Sequence, residues 1–528
     1  MADLDKRLQS TVATIEEILK LSSSAGASVG VAVNGKAVFK ENFGFRDHCR
    51  SKRADSDTLY SIGSLTKSMT AAAAGIAVSQ GSLKWESRIC DILDNFRPSN
   101  RHLAENCTIA DLLCHRSGLP GANTLWYQGG SEPLVAKKDI VPMINSMPAN
   151  FDLRSSWGYS NWGFSLAGEV IEKATGEPWY ELLCQNIWRP LGMHRTNTDP
   201  EWRNAENIAE GFSGLTNGEV FEVKSQVVDH CSIMGAAGGV VSSVNELLKY
   251  YSSLMHATQE DPAATSFKET STLLSSHAVL HPPPFGLFTD TTYAFGLART
   301  HLPARVGVIS DNCGLVKEMP LMGTGSKPQV ILYHSGTLSG FYASVYLLPE
   351  TQSCVIVLVN TKPVCDSADW IAQALLQEVL NNELRHDFVQ LAKESVQAQN
   401  SRYRQATETL KKDRVEGTSC RHLSAFVGRY VWNCAIYFVE IVEQCGNLEL
   451  VIMGRHDQHY TLKHHHNDSF TWLMTDEEEA KRGRFIQSAQ TYKIVFNANG
   501  RGEIIGLTWP AMGGMDGNFL KSNLQVAC

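Results

Sequence analysis

Strand-forming sequence stands at both ends of the first 385 residues, and helix-forming sequence fills the middle. Near the start, Ala27-Ser-Val-Gly-Val-Ala-Val-Asn-Gly-Lys-Ala-Val-Phe-Lys40 alternates apolar with small or polar residues around Asn34-Gly35, the signature of a β-hairpin. Far along the chain, Val330–His334, Phe341–Leu348 and Cys354–Asn360 are spaced like consecutive antiparallel strands. Strands from both ends have one simple way to bury their apolar faces, a single antiparallel sheet. The leucines and isoleucines of residues 4–19 recur at helical spacing, and a second helix is expected from about Ser367 to Leu384. Both would pack on the sheet. Stretches such as Phe164–Ala174 and Val244–Leu254 read as helices of an inserted subdomain. The expected class is therefore α+β, an antiparallel sheet flanked by helices with a helical subdomain.

The texture changes after residue 385. Residues 386–420 are charged, polar and weakly periodic, which suits a helical linker. Beyond Cys420 come short alternating segments separated by turns, among them Phe426–Trp432, Ile436–Val442, Leu448–Ile452, Tyr492–Phe496 and Ile504–Trp509. These predict a separate all-β unit, a small lipocalin-like barrel. The expected domains are 1–385, 386–420 and 421–528.

Composition excludes several classes. With 43% apolar and 19% charged residues the chain carries no disorder signature. A net charge of −8 argues against a general binder of nucleic acid or anionic membrane. No run reaches the roughly 18 apolar residues of a membrane span, and the first twenty residues lack the apolar stretch of a signal peptide. Thirteen cysteines are scattered and never spaced as C-x-x-C, which fits free thiols in a reducing compartment. A cytoplasmic location is the expectation.

Ser64-Leu-Thr-Lys67 is the stretch richest in chemistry. If a helix begins near Ser64, the two side chains share one face, one turn apart. An unprotonated lysine there can take the proton that makes a serine hydroxyl nucleophilic. The helix start also aims free N–H groups at the reacting centre. The string is common enough to arise by chance, so it needs partners. Tyr159-Ser-Asn161 precedes a predicted helix. A phenol whose pKa is lowered by a nearby lysine can relay the serine proton, and Asn161 offers an amide to Lys67 and to a substrate carbonyl. His334-Ser-Gly336 lies on a late strand, followed by Thr337. A glycine there lets substrate lie along the strand edge, and the Thr337 N–H can join that of Ser64 in an oxyanion hole.

In this order, the three groups resemble the motifs of the serine β-lactamase and penicillin-binding-protein superfamily. The resemblance is strongest to the branch holding class C β-lactamases, D-aminopeptidases, family VIII esterases and fungal acyltransferases. Thr108-Ile-Ala-Asp-Leu-Leu-Cys-His-Arg-Ser-Gly-Leu-Pro120, Pro190-Leu-Gly-Met193 and Ala236-Ala-Gly-Gly-Val-Val-Ser-Ser243 agree with that branch. The resemblance implies Ser64 as the acylated nucleophile and Lys67 with Tyr159 as the proton-transfer pair. It implies Asn161 as polar orienter, His334, Ser335 and Gly336 as the third motif, and the Ser64 and Thr337 amides as oxyanion hole. The chain departs at His334, where a fixed lysine cation usually stands. A histidine, mostly neutral at pH 7, favours an uncharged ester, thioester or amide over a β-lactam.

The expected function is a serine acyl-hydrolase or acyltransferase working on a small metabolite, with an acyl-carrier or coenzyme A thioester among the candidate donors and a fungal secondary-metabolite pathway as the setting that the resemblance suggests. The alternative is a D-aminopeptidase- or β-lactamase-like amide hydrolase, which should carry an acidic residue near the pocket that the sequence does not place. A catalytically silent binding protein should have lost one of Ser64, Lys67 and Tyr159, and all three are present. No metal or cofactor is expected. Ser310-Asp-Asn312, close before His334, reads as a coincidental loop. His115 reads as a structural hydrogen-bonding residue. His464-His-His466, with His456 and His459, reads as a solvated loop rather than a metal site, and the β unit as a structural cover for the sheet or pocket mouth.

Overall fold

The computed structural model describes residues 2–130, 132–224, 226–259, 265–281, 290–433, 435–510, 512 and 517–522. Its centre is an eight-stranded sheet. In chain order the strands are β1 (Gly26–Val33), β2 (Lys36–Gly44), β3 (Ala278–His281), β4 (Thr291–Tyr293), β5 (Ala298–Leu302), β6 (Gln329–Leu338), β7 (Phe341–Leu348) and β8 (Ser353–Val359). They lie in the order β2-β1-β8-β7-β6-β5-β4-β3. The first hairpin thus pairs directly with the last strand, Ala27 opposite Val359 and Ala32 opposite Cys354. Asn34 and Gly35 both have positive φ, as a tight two-residue turn requires. Strands β3–β5 extend the sheet beyond what the sequence pattern reveals, because they are only three to five residues long.

Every residue of β7 and β8 is buried. That accounts for their nearly unbroken apolar sequences, since a strand covered on both faces has no polar side to present. The covering comes from α4 (Val244–His256), which packs on β1 and β8, and from α5 (Ser367–Leu380), which packs on β7 and β8. Helix α1 (Val12–Leu21) lies on α5. The inserted subdomain contributes α2 (Thr66–Ser79) and α3 (Asn161–Thr175), which pack on each other. The segment expected as a linker contains one 26-residue helix, α6 (Phe388–Asp413), that packs on α1 and α5 through residues such as Phe388, Ala392 and Ser395.

Beyond α6 the strands close into an eight-stranded barrel. They are β9 (Gly428–Trp432), β10 (Phe438–Gln444), β11 (Asn447–Ile452), β12 (His459–His466), β13 (Ser469–Thr471), β14 (Lys493–Ala498), β15 (Ile504–Trp509) and β16 (Gly517–Lys521). The α+β sheet and the all-β barrel agree with the sequence pattern. The histidine run does not. His464-His-His466 ends strand β12 instead of forming a solvated loop, and His465 is buried with its ring 3.4 Å from Asp413 of α6. The alternation of Tyr460 and Leu462 inward with Thr461 and Lys463 outward carries the strand; the histidines that follow masked it. No group of three or more potential metal ligands occurs among the described residues.

The barrel docks on the catalytic-side loops through polar contacts. Gln458 Nε2 donates to the Gly129 carbonyl at 2.8 Å, and Tyr460 OH donates to that of Gln128 at 3.1 Å. Tyr127 OH donates to the Arg482 carbonyl at 3.1 Å. Arg484 donates to Gln128 Oε1 at 2.6 Å and lies 3.2 Å from the fully buried carboxylate of Glu479. Burial works against the Arg484 charge, but Glu479 and nearby phenols more than offset it and hold the guanidinium protonated.

Removing one member of a buried pair strands the other charge. Arg484→Met is expected to lower stability by about 3–5 kcal/mol in chemical denaturation, and Arg484→Met with Glu479→Met to recover most of that loss. Equal losses in the single and double variants would show that the pair is not coupled.

Candidate active site

Ser64 sits in a tight turn, Gly63–Leu65, that runs straight into α2. Its N–H belongs to the first turn and has no acceptor within the helix. One turn on, the alanine-rich sequence of α2 packs closely enough to bury Lys67 completely. Lys67 Nζ lies 3.0 Å from Ser64 Oγ, 2.7 Å from Asn161 Oδ1 and 2.8 Å from the Ala237 carbonyl. Among the described residues no carboxylate comes within 4 Å of it. Burial pushes its pKa well below the ordinary lysine value. Two of its three neighbours are carbonyl oxygens, which only accept. A neutral amine meets this set with two N–H donors and keeps its lone pair for the Ser64 hydroxyl.

Tyr159 OH donates to Ser64 Oγ at 2.7 Å. The expectation of a lysine-acidified phenol is corrected here: burial raises the Tyr159 pKa, so the phenol keeps its proton and Lys67 is the base of the pair. Tyr159 is held by what surrounds it. The next residue, Ser160, caps α3 and donates to the Pro120 carbonyl at 2.9 Å. The Ser160 N–H donates to His115 Nδ1 at 3.1 Å, and the His115 ring lies 4.4 Å from that of Tyr159. Asn161 directs its oxygen to Lys67 and donates its Nδ2 to Asn123 Oδ1 at 3.0 Å. Trp126 Nε1 donates to the same oxygen. Asn123 carries no motif, and sequence reasoning missed it.

The third group comes from β6. Its pairing with β5 stops at Tyr333 opposite Ala298, whereas its pairing with β7 continues to Leu338. The Ser64 turn packs against the edge left open. Approach is close enough that a Cβ on Gly336 would sit 2.1 Å from the Ile62 carbonyl oxygen, so only glycine fits. Thr337 is exposed beside this contact, and it lines the same cavity as Ser64. His334 behaves differently. It is 2% exposed, its Nδ1 donates to the Ser335 carbonyl at 2.6 Å, and its Nε2 accepts from Tyr293 OH at 2.9 Å. Burial and the nearby Lys67 push its pKa down to about 3, so it is neutral. Both ring nitrogens are used inside the protein, which makes His334 a positioning residue for the strand edge instead of a cation for substrate.

Ser64, Tyr159, Asn161, Ser335 and Thr337 open onto one cavity of about 500 Å³. Gly483, Arg484, Phe485 and Gln487 of the β unit line it, which brings that unit to the pocket itself. Asp311 lines it too, as the middle residue of the S-D-N string read as coincidental. The string is a tie between strands and helix: Asn312 donates to the Asp366 carbonyl and accepts from its N–H, and Tyr342 OH donates to Asp311 Oδ2 at 2.5 Å.

Because the Ile62 carbonyl fills the space beside Gly336, Gly336→Ala must displace the Ser64 turn. A shift of about 1 Å is expected to lower kcat/KM by roughly 10²-fold, read on any ester the wild type turns over. Wild-type kinetics in this variant would show that the turn tolerates movement.

Residues 12–378 match the Beta-lactamase family model. Among curated proteins the chain is 24% identical over 366 residues to an unguisins hydrolase of Aspergillus violaceofuscus, covering 66% of this chain and 60% of that protein. It is 23% identical over 319 residues to penicillin-binding protein 4* of Bacillus subtilis, covering 58% of this chain and 66% of that protein. It is 23% identical over 377 residues to a D-aminopeptidase of Cereibacter sphaeroides, covering 70% and 62%. The chain thus spans about three fifths of the length of the first of these relatives. The octameric penicillin-binding protein homologue from Pyrococcus abyssi shares the fold, with a TM-score of 0.56 and 20% identity over 98% of this chain and 99% of that one. With the family model spanning most of its length, the chain belongs to the beta-lactamase family.

Proposed function

We propose that the protein is a serine hydrolase that works through an acyl-enzyme at Ser64. The observation that carries this reading is the buried Lys67 amine, supplied with two carbonyl acceptors and the Ser64 hydroxyl and, among the described residues, no carboxylate. Burial lowers its pKa well below the ordinary lysine value and so favours the neutral amine that can take the serine proton. Ser64 Oγ attacks the substrate carbonyl and its proton passes to Lys67. The N–H groups of Ser64 and Thr337 stabilise the oxyanion that forms. As the intermediate collapses, the proton on Lys67 goes to the leaving oxygen or nitrogen, and Tyr159, hydrogen-bonded to Oγ, is the group placed to hand it across. Water attacking the acyl-enzyme by the reverse route releases the acid. Relatives named as hydrolases favour water over an alcohol or amine acceptor. The Aspergillus relative favours a substrate from fungal metabolism.

A second reading, a D-aminopeptidase-like amide hydrolase, gains support from Asp311. That reading needs a carboxylate near the pocket to hold a substrate ammonium, and Asp311 lines the cavity with Ser64. The D-aminopeptidase relatives favour it as well.

Intact-protein mass spectrometry after exposure to p-nitrophenyl esters and D-amino-acid amides should show an acyl adduct that is absent in Ser64→Ala. Lys67→Met should lower kcat/KM by about 10³-fold. Protonated Lys67 cannot accept the Ser64 proton, so wild-type kcat/KM should fall as pH drops through the lowered Lys67 pKa, and this acid limb should vanish from the residual activity of Lys67→Met. Full activity in Ser64→Ala would sink the acyl-enzyme. For the second reading, Asp311→Asn should raise KM for D-amino-acid amides by about tenfold and leave p-nitrophenyl acetate unaffected. An equal effect on both substrates would remove Asp311 as an ammonium site.

A further inference from the structure

Lys362 lies three residues beyond the end of β8, where Thr361 and Lys362 pair with Phe212 and Ser213. It is 4% exposed, an unusual place for an amine that takes no part in the Ser64 hydrogen-bond set. It stands in the partition between two cavities. One is the Ser64 cavity; the other is a smaller one of about 90 Å³ bordered by Gly214, Asp476 and Ala480. Phe485 and Arg484 of the barrel complete the partition. Nζ rests 3.6 Å from the centre of the Phe485 ring. Among the described residues it has no hydrogen-bond acceptor and no carboxylate within 4 Å.

A buried ammonium normally finds an oxygen acceptor. The ring face supports its charge but accepts none of its N–H bonds in the usual sense. Four charged groups surround it. Asp311 faces it from the turn after Ser310, and Asp476 and Glu479 face it from the short barrel helix Asp476–Lys481. Arg484 stands in the same wall. Glu479 is committed to Arg484 at 3.2 Å, and Asp311 already accepts from Tyr342. Among the described residues lining the Ser64 cavity, Lys362 is the one lysine or arginine without an acceptor.

We propose that Lys362 is the anchor for a substrate carboxylate in the Ser64 cavity, held between the end of β8 and the barrel residue Phe485. A single negative charge fits better than a phosphate dianion, because one amine is available and Asp311 stands nearby. His334, which lines the same cavity, is neutral and offers no such charge. The anchor rests on the reading of Ser64 as the acylated residue only in naming the ligand as substrate; the binding itself is independent of turnover.

The charge state adds a readout. Burial lowers the Lys362 pKa, with the three acids opposing, to about 7. An anion beside the amine favours its protonated form, so carboxylate binding above pH 7 should take up a proton and weaken as pH rises. The test uses the full chain in a Ser64→Ala background, titrated calorimetrically with monomethyl esters of straight-chain dicarboxylic acids of four to eight carbons, each beside its dimethyl ester. At pH 6 at least one monoester should bind about tenfold tighter than its diester, with the preference shrinking between pH 7 and 9. Lys362→Met should lose the preference. Lys362→Arg should keep it at every pH and abolish the proton uptake seen in two buffers at pH 7.5. Because the preference is a ratio within each variant, a general loss of stability cancels. No preference at any chain length, or a preference that survives Lys362→Met, overturns the proposal. Ser64 labelling without Lys362-dependent binding sinks the anchor alone, and the converse sinks the acyl-enzyme alone.

Discussion

A lysine amine sealed inside a protein, with no counter-ion among the described residues, governs the rest of this architecture. Lys67 can stay there because it need not be charged. Its neutrality depends on an apolar, alanine-rich helix around it, and its usefulness depends on two carbonyl oxygens that fix its N–H bonds and leave the lone pair facing Ser64. Asn161 reaches it from the start of α3 and Ala237 from the short helix Gly235–Gly238. Three separate stretches must therefore converge to within hydrogen-bond distance of one nitrogen. The central sheet and the α2–α3 packing supply the rigidity for that convergence. A carboxylate placed beside Lys67 would favour the ammonium, and the serine would lose its base.

The same wish for neutrality extends through the layer behind the nucleophile. Tyr159 keeps its proton, His334 lacks one on Nε2, and both follow from burial more than from specific charges. His115, Tyr159, Tyr293 and Trp157 stack into an aromatic cluster. Charge is introduced instead at the cavity wall, through Asp311, Lys362 and Arg484. Proton transfer and charge recognition thus occupy different surfaces of one space.

Much of this was legible in sequence. The hairpin, the late strands, the helices and the barrel texture all follow from periodicity, and Ser64, Lys67, Tyr159 and Asn161 meet as their order suggested. What escaped did so for physical reasons. Strands β3–β5 are too short to show alternation. Asn123 acts through one side-chain amide outside any motif, and Ala237, inside the Ala236–Ser243 segment that sequence singled out, acts through a backbone carbonyl whose role no residue type reveals. Tyr159 looked like a group acidified by a lysine because spacing does not reveal burial, and burial reverses the sign. Asp311, in a single helical turn, and Lys362, in a two-residue strand, reach the cavity from elements too short to show a pattern.

The barrel residues in the cavity wall have a consequence for how the site comes into being. Gln128 and Arg484, which join barrel to cavity, are 356 residues apart along the chain, while Ser64 and Lys67 share one turn of backbone. Contacts that distant form slowly, because a long loop must close before they reward it. The acylation centre itself closes over 94 residues to Asn161 and 170 to Ala237, so both the nucleophile's base and the barrel side of its cavity are set by long-range contacts, the barrel side by the longer.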